Sequence, residues 1–240
     1  MSMSLELKSF LARRLERKVF TGLPLSIFAI VFFILLGTFI GITDSIVNSL
    51  PIVKLDDSFA HFLYLLRTPF LAQVFYTITN FANQITIGIL GAVALLYLYF
   101  KKELAYLYAL VLICLGTEAN VYLIKILINR ARPVADIAYY IEKDPSFPSG
   151  HSAIAMAFFG FVTYYLIHHI QGGRKKSLVI LLGTLLILLI GFSRLYLGVH
   201  FLSDVLGGFL MGGLWLVAGI TFRERHFYIA SLKKGKNQGI

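Results

Sequence analysis

The chain is 240 residues long, 58% hydrophobic and only 14% charged, with a formal net charge of +10. Soluble domains run about 45–50% apolar and about 25% charged, so a soluble fold around a large core is excluded and a polytopic membrane protein is indicated. The basic residues sit in short clusters between apolar runs, a placement that sets membrane orientation rather than one that binds nucleic acid.

A helix needs about 20 apolar residues to cross the hydrocarbon layer. The first apolar run, Gly22 to Ile42, follows the basic segment LARRLERK. It is longer than the roughly 7–15 residues of a signal-peptide core and lacks a small-residue cleavage site, so it reads as a retained anchor. The next segment, Asp44 to Asn83, contains LDDSFAHFLYLLRTPF and is too polar for a clean span. An amphipathic helix lying on the interface is one reading of it. Further spans are expected at about 84–100, 104–126, 152–170, 177–197 and 202–222, the first of these being short and beginning earlier, within FYTITNFANQ. The end of the chain, SLKKGKNQGI, reads as a disordered basic tail. The single cysteine, Cys114, lies in an apolar stretch, so no intramolecular disulfide forms and packing is its expected role. With no break in composition and no internal repeat, residues 1–240 read as one membrane-integral domain, all-α with six transmembrane helices and basic tails at about 1–20 and 223–240.

The basic residues divide unevenly between the two sides. One side collects the run from Lys8 to Lys18, then Lys101 and Lys102, then Arg174 to Lys176, then Arg223 to Lys236. The other holds fewer, among them Lys54, Arg67, Arg130 and Lys143. The excess predicts both termini in the cytoplasm.

Three stretches fall on the extracytoplasmic face. In KILINRARP, Lys125 and Arg132 are seven apart and would share a helical face, but Pro133 disfavours helix at Arg132, which then reaches inward from a turn. Cations snorkelling to the interface would also explain this stretch. In FPSGHSAIAM, Ser149 is a natural N-cap, Pro148 a helix punctuator, and Gly150 leaves the backbone open; the helix start that follows suits an oxyanion. An ordinary cap with an incidental His151 is the plainer reading. In SRLYLGVHFLSD, His200 and Asp204 are four apart and would stack on one helical face. A carboxylate on one imidazole nitrogen leaves the other lone pair free to attack; alone, the pair could equally be a structural hydrogen bond. Together, Lys125, Arg132, Arg194, His151, His200 and Asp204 describe a phosphate site, because ionisable groups near membrane depth cost about 2.5–3.5 kcal/mol each and mark function. Zinc on His151, His200 and Asp204 is a rival that three neighbouring cations oppose. No Walker loop, GxGxxG or HExxH occurs.

These stretches, K-x6-RP from Lys125 to Pro133, PSGH from Pro148 to His151, and SR-x5-H-x3-D from Ser193 to Asp204, resemble the signature of the type 2 phosphatidic acid phosphatase family. The resemblance is carried by residues 125–204 and, through the six-span layout, extends over most of the chain. It implies a membrane phosphatase that needs no metal and no other cofactor. It also implies roles. His200 attacks phosphorus, Asp204 orients it, and His151 protonates the leaving oxygen and then helps activate water. Lys125, Arg132 and Arg194, with Ser149 and the Gly150 backbone, hold the phosphate oxygens; Pro133 and Pro148 shape loops, and Ser193 is a weaker candidate for a hydrogen bond within the site. The implied substrate is a membrane lipid phosphate or prenyl diphosphate, with phosphatidylglycerophosphate and undecaprenyl diphosphate as the two favoured examples, cleaved at the outer face of the cell membrane without nucleic acid or an obligate protein partner. Phosphotransfer to a second lipid, or anion transport without chemistry, are the alternatives. Glu118, one helical face with Lys125 and two turns deeper, reads as structural support paired with a cation or Asn120. Gly208 and Gly212 form a GxxxG packing face, and Tyr139 and Tyr140 are candidates for a lipid entrance.

Overall fold

The computed structural model describes residues 20–48 and 51–237, and every regular element in them is helical. Eight helices follow in order: α1 Leu23–Val47, α2 Pro51–Leu65, α3 Pro69–Thr79, α4 Gln84–Phe100, α5 Leu104–Ile128, α6 Gly150–His169, α7 Gly173–Tyr196 and α8 Leu202–Asn237. Five of them (α1, α5, α6, α7 and α8) are long and apolar enough to cross a membrane, and the count reaches six if α3 and α4 form one span bent by 43°. At about 1.5 Å per residue, α4 alone is only about 25 Å long, so the sequence expectation of a short second span with an earlier start has its physical basis in this bend.

Local signals set the boundaries. Thr68 caps α3, its hydroxyl accepting from the Leu71 amide at 3.3 Å, with Pro69 in the first turn. Asn83 caps α4, accepting from the Thr86 amide at 2.7 Å. Helix α5 stops at Asn129, which takes the left-handed conformation (φ 46°) that Asn tolerates better than most residues. The wide turn at Ala155–Phe159 is a π-type insertion within α6.

Helix α2 is amphipathic in an inverted sense. It buries Asp56, Ala60 and Leu63 against the bundle and leaves Leu55, Phe62 and Leu65 exposed. A helix that turns a carboxylate inward and leucines outward is suited to a lipid interface. Two details differ from the sequence reading. The final segment is not a disordered tail over its described part, because α8 runs unbroken to Asn237; Ala, Leu and Lys are strong helix formers and extend it. The other expected tail, at 1–20, lies outside the described residues except for Phe20.

The bundle closes tightly where α8 crosses α6. A Cβ on Gly208 would lie 2.5 Å from the Ser149 carbonyl oxygen, and one on Gly212 would lie 2.2 Å from that of Ala153. Only glycine permits that approach, as the GxxxG pattern requires. The ends of α5 and α7 and the starts of α6 and α8 therefore meet at one end of the bundle. The α5–α6 loop packs there too, Phe147 stacking on Phe39 of α1 at 5.7 Å.

Candidate functional site

Lys125 stands on the last turn of α5. Its ammonium donates to Asp144 Oδ2 at 2.7 Å and to the Pro145 carbonyl. Beyond Asn129 the chain leaves the helix, so Arg132 approaches from a turn. Its Nε donates to the Asp144 carbonyl at 2.7 Å, and its Nη1 donates to the Val199 carbonyl at 2.7 Å and lies 3.1 Å from His200 Nε2. Arg194, on the last turn of α7, is wholly buried. Its Nη1 donates to Thr79 Oγ1 at 3.0 Å and to the Tyr140 hydroxyl, and its Nη2 pairs with Glu142. Its Nε has no partner among the described residues.

His200 lies in the turn between α7 and α8, not on a helix. Gly198, at φ +67°, makes that turn possible; a Cβ there would sit 2.3 Å from the Ile137 carbonyl oxygen. Arg67 fastens the same turn, donating to the Tyr196 carbonyl at 2.9 Å and the Ile137 carbonyl at 2.7 Å. Asp204 lies in the first turn of α8, where its Oδ2 accepts from the Phe201 amide at 2.9 Å and faces His200 Nδ1 at 3.4 Å. The four-residue spacing thus brings the pair together through a helix start, with the carboxylate reaching back to cap it, rather than along a continuous helical face.

Behind Asp204 lies a network that sequence spacing did not reveal. Arg130 Nη1 contacts Asp204 Oδ1 at 2.6 Å and Ser203 Oγ at 2.7 Å, while its Nη2 contacts Asp56 Oδ2 at 2.7 Å. Asp56 also accepts from the Ser203 amide at 2.9 Å. The Arg130 guanidinium rests 4.5 Å from the Phe201 ring centre. Asp204, Asp56 and His200 are each at most 2% exposed, so one cation is shared between two buried carboxylates and fixes the one facing the imidazole.

Ser149 caps α6, accepting from the Ser152 amide at 3.4 Å. Gly150 and His151 line a cavity of about 900 Å³ together with Lys125, Arg132 and His200. The cavity continues between α4 and α5, past Ile87 and Val121, and reaches Glu118. Asn120 donates to the Gly116 carbonyl and does not pair with Glu118. Ser193 donates back to the Ile190 carbonyl and so is turned away from these groups. Tyr140, considered for a lipid entrance, is instead a partner of Arg194.

The acidic loop residues complete the electrostatics. Glu142 Oε2 lies 2.6 Å from Arg132 Nη1 and 3.8 Å from His200 Nε2, and Oε1 pairs with Arg194. Asp144 bridges Lys125 and Arg132 at 2.7 and 2.9 Å. Burial pushes the Asp144 carboxyl up, but Lys125 and Arg132 outweigh it and hold the group at about 2. Burial likewise pushes the Glu142 carboxyl up, but Arg194 and Arg132 outweigh it, so this carboxyl stays below its ordinary range. Burial, then Arg194 and Arg132, depress the His200 imidazole well below its usual value, leaving a neutral ring. Among the described residues no group of three or more His, Cys, Asp or Glu side chains is arranged to hold a metal ion.

Comparison with known proteins adds a family. Residues 102–228 match the model of the PAP2 superfamily. The chain is 30% identical over 210 residues to phosphatidylglycerophosphatase B of Bacillus subtilis, covering 85% of this chain and 97% of that one. A crystal structure of a transmembrane PAP2-type phosphatidylglycerolphosphate phosphatase from Bacillus subtilis superposes with a TM-score of 0.74 at 28% identity, over 81% of this chain and 96% of the other. That of LpxE from Aquifex aeolicus superposes with a TM-score of 0.55 at 25% identity, over 70% and 94%.

Proposed function

The chain belongs to the PAP2 superfamily and is a membrane-integral lipid phosphatase; from that premise we propose that it removes the terminal phosphate of a lipid phosphomonoester or prenyl diphosphate through a phosphohistidine on His200. The supporting observation is the pairing of His200 Nδ1 with a buried, cation-anchored Asp204 while Nε2 faces Arg132 on the cavity wall. Asp204 holds the Nδ1–H tautomer, which leaves the Nε2 lone pair directed at phosphorus. As the N–P bond forms, the P–O bond to the lipid breaks and His151 gives its proton to the leaving oxygen. Water then attacks phosphorus, His151 takes a proton from it, the N–P bond breaks, and orthophosphate leaves. Lys125, Arg132 and Arg194, with the start of α6 at Ser149 and Gly150, stabilise the equatorial oxygens, the largest contribution expected in phosphoryl transfer. Arg130 and Asp56 are positioning residues acting through Asp204.

Phosphatidylglycerophosphate is the first substrate to test, since the Bacillus subtilis relatives carry that name; undecaprenyl diphosphate is the second. The cavity between α4 and α5 suits a phosphate head on an apolar tail. The positive-inside distribution supports cytoplasmic termini and an extracytoplasmic site. The whole chain acts as one unit in this reading, because α1 and α2 supply Phe39 and Asp56 to the surroundings of the site. Purified protein should release orthophosphate from a panel of these lipids and from phosphatidate. Turnover with labelled substrate, quenched in alkali where the N–P bond survives, should leave label on His200; label appearing in an acceptor lipid without free phosphate would favour phosphotransfer, and no labelled histidine would overturn the mechanism.

A further inference from the structure

The cations assigned to phosphate are already engaged by carboxylates of their own chain. Glu142 spans Arg132 and Arg194 and brings an oxygen to 3.8 Å from His200 Nε2. That is where a phosphorus atom in line with Nε2, and its equatorial oxygens, would have to lie. Asp144 occupies Lys125 and the remaining Nη2 of Arg132. Three cations therefore face two carboxylates. The fit of Glu142 is incomplete, because it engages Arg194 only through Nη2 and leaves the buried Nε without a partner. A tetrahedral anion with three free oxygens can take the Nε–Nη2 edge of Arg194 and Arg132 at once; a carboxylate cannot.

We infer that Glu142 is an internal anion that holds the phosphate position, weakens every anion that enters, orthophosphate included, and so keeps phosphodiester headgroups from occupying the site while giving way to the terminal phosphate of a substrate. This rests on the phosphate-site reading above. A pocket lined by Lys125 and Arg132, with Arg194 buried against Glu142 at its wall, meets phosphodiester lipids at very high local concentration where it opens into a bilayer. Each carries a single negative charge and two free oxygens. If the competent, vacated state is a fraction f of the population, every external anion binds weaker by the same factor 1/f. That common factor raises the dissociation constant of a diester above its ambient concentration. A phosphomonoester dianion, with one more charge and one more free oxygen, still displaces the carboxylate. Asp144 contributes in the same direction at Lys125, and more weakly, because 56% of its side chain is exposed.

The experiment is competitive inhibition of phosphate release, in neutral detergent micelles, by two probes: inorganic phosphate and micellar phosphatidylglycerol. In Glu142→Gln both inhibition constants should fall by one common factor of at least about tenfold, equivalent to about 1.4 kcal/mol, with the KM for the lipid phosphate falling alongside. Asp144→Asn should shift both constants the same way by a smaller factor, and it carries the test if Glu142→Gln does not fold. Unchanged or raised constants, or a fall in kcat alone as a structural role would give, overturn the inference. Arg132→Ala separates this from the site itself. Weaker phosphate inhibition there, beside an unchanged Glu142→Gln, sinks the internal anion and keeps the site; unchanged phosphate inhibition in Arg132→Ala sinks the phosphate-site reading first.

Discussion

The two ends of the bundle carry the same kinds of side chain and use them differently. At the far end, His169 pairs with Glu103 at 3.3 Å and stacks on Tyr165 at 4.1 Å, while Arg223 pairs with Glu224 at 2.8 Å and covers the Tyr106 ring at 4.2 Å. Aromatic faces close over these charges, and the His169 side chain is still 40% exposed. At the site end, His200 is 2% exposed and borders open volume together with Lys125 from α5 and Arg132 from the loop that follows, while Arg194 is buried against Glu142. Ion pairs packed on rings hold helices together; ion pairs strung round a cavity hold a place for something else.

Substitutions can break or sharpen that contrast. The largest expected difference is between His200→Ala, which should lower phosphate release by about four orders of magnitude or more, and His169→Ala, which should leave it nearly unchanged; similar losses from both would erase the distinction. Next comes Arg130→Ala, which strands Asp56 and Asp204 as facing, unpaired buried carboxylates and should cost about 3–5 kcal/mol in unfolding experiments. Glu103→Gln, at a pair whose histidine is well exposed, should cost about 1 kcal/mol or less. Arg194→Ala should lower kcat/KM by about 10²–10³-fold, whereas Arg223→Ala should alter melting more than turnover.

The pH profile offers a finer test. Protonated His200 has no lone pair at Nε2, so kcat/KM must fall as pH drops through its pKa. Burial with Arg194, Arg132 and Lys125 depresses that pKa, and Glu142 partly restores it. The acid limb should therefore lie below the ordinary imidazole value of about 6.5 and move lower still in Glu142→Gln; a limb above 6.5 would contradict the burial of His200. The smallest expected effect is that of EDTA, which should leave turnover unchanged while orthovanadate inhibits it; loss of activity restored by one divalent ion would revive a metal at His151, His200 and Asp204.

The sequence was most legible where chemistry restricts residue type. Lys125, Arg132, His151, Arg194, His200 and Asp204 stood out because charge near membrane depth is costly and their spacing follows helix ends. Spans were legible from apolar run length, apart from the bend between α3 and α4. What stayed hidden was pairing over distance. Asp56 and Ser203 are 147 positions apart, and nothing local distinguishes Asp56 from Asp57, yet only the former faces Arg130. Arg130 counts in the sequence only as an orienting charge, and IEKDPSF, which carries Glu142 and Asp144, matches no motif. The one available signal was a pair of acids between two pieces of a strongly cationic pattern. The same blindness made His200 and Asp204 look like neighbours on a helix, because spacing does not report that Gly198 turns the chain just before His200 and leaves it outside α8.

The contact of Gly208 and Gly212 with the first turn of α6 has a further consequence. His200 is carried at the head of α8 and His151 at the head of α6, so the gap between nucleophile and proton donor is set where those two backbones touch. A single methyl at either glycine would wedge the heads apart without altering any reacting group. Gly208→Ala is thus a molecular shim, a way to lengthen the proton's path by a fraction of an ångström and to learn how steeply the reaction responds.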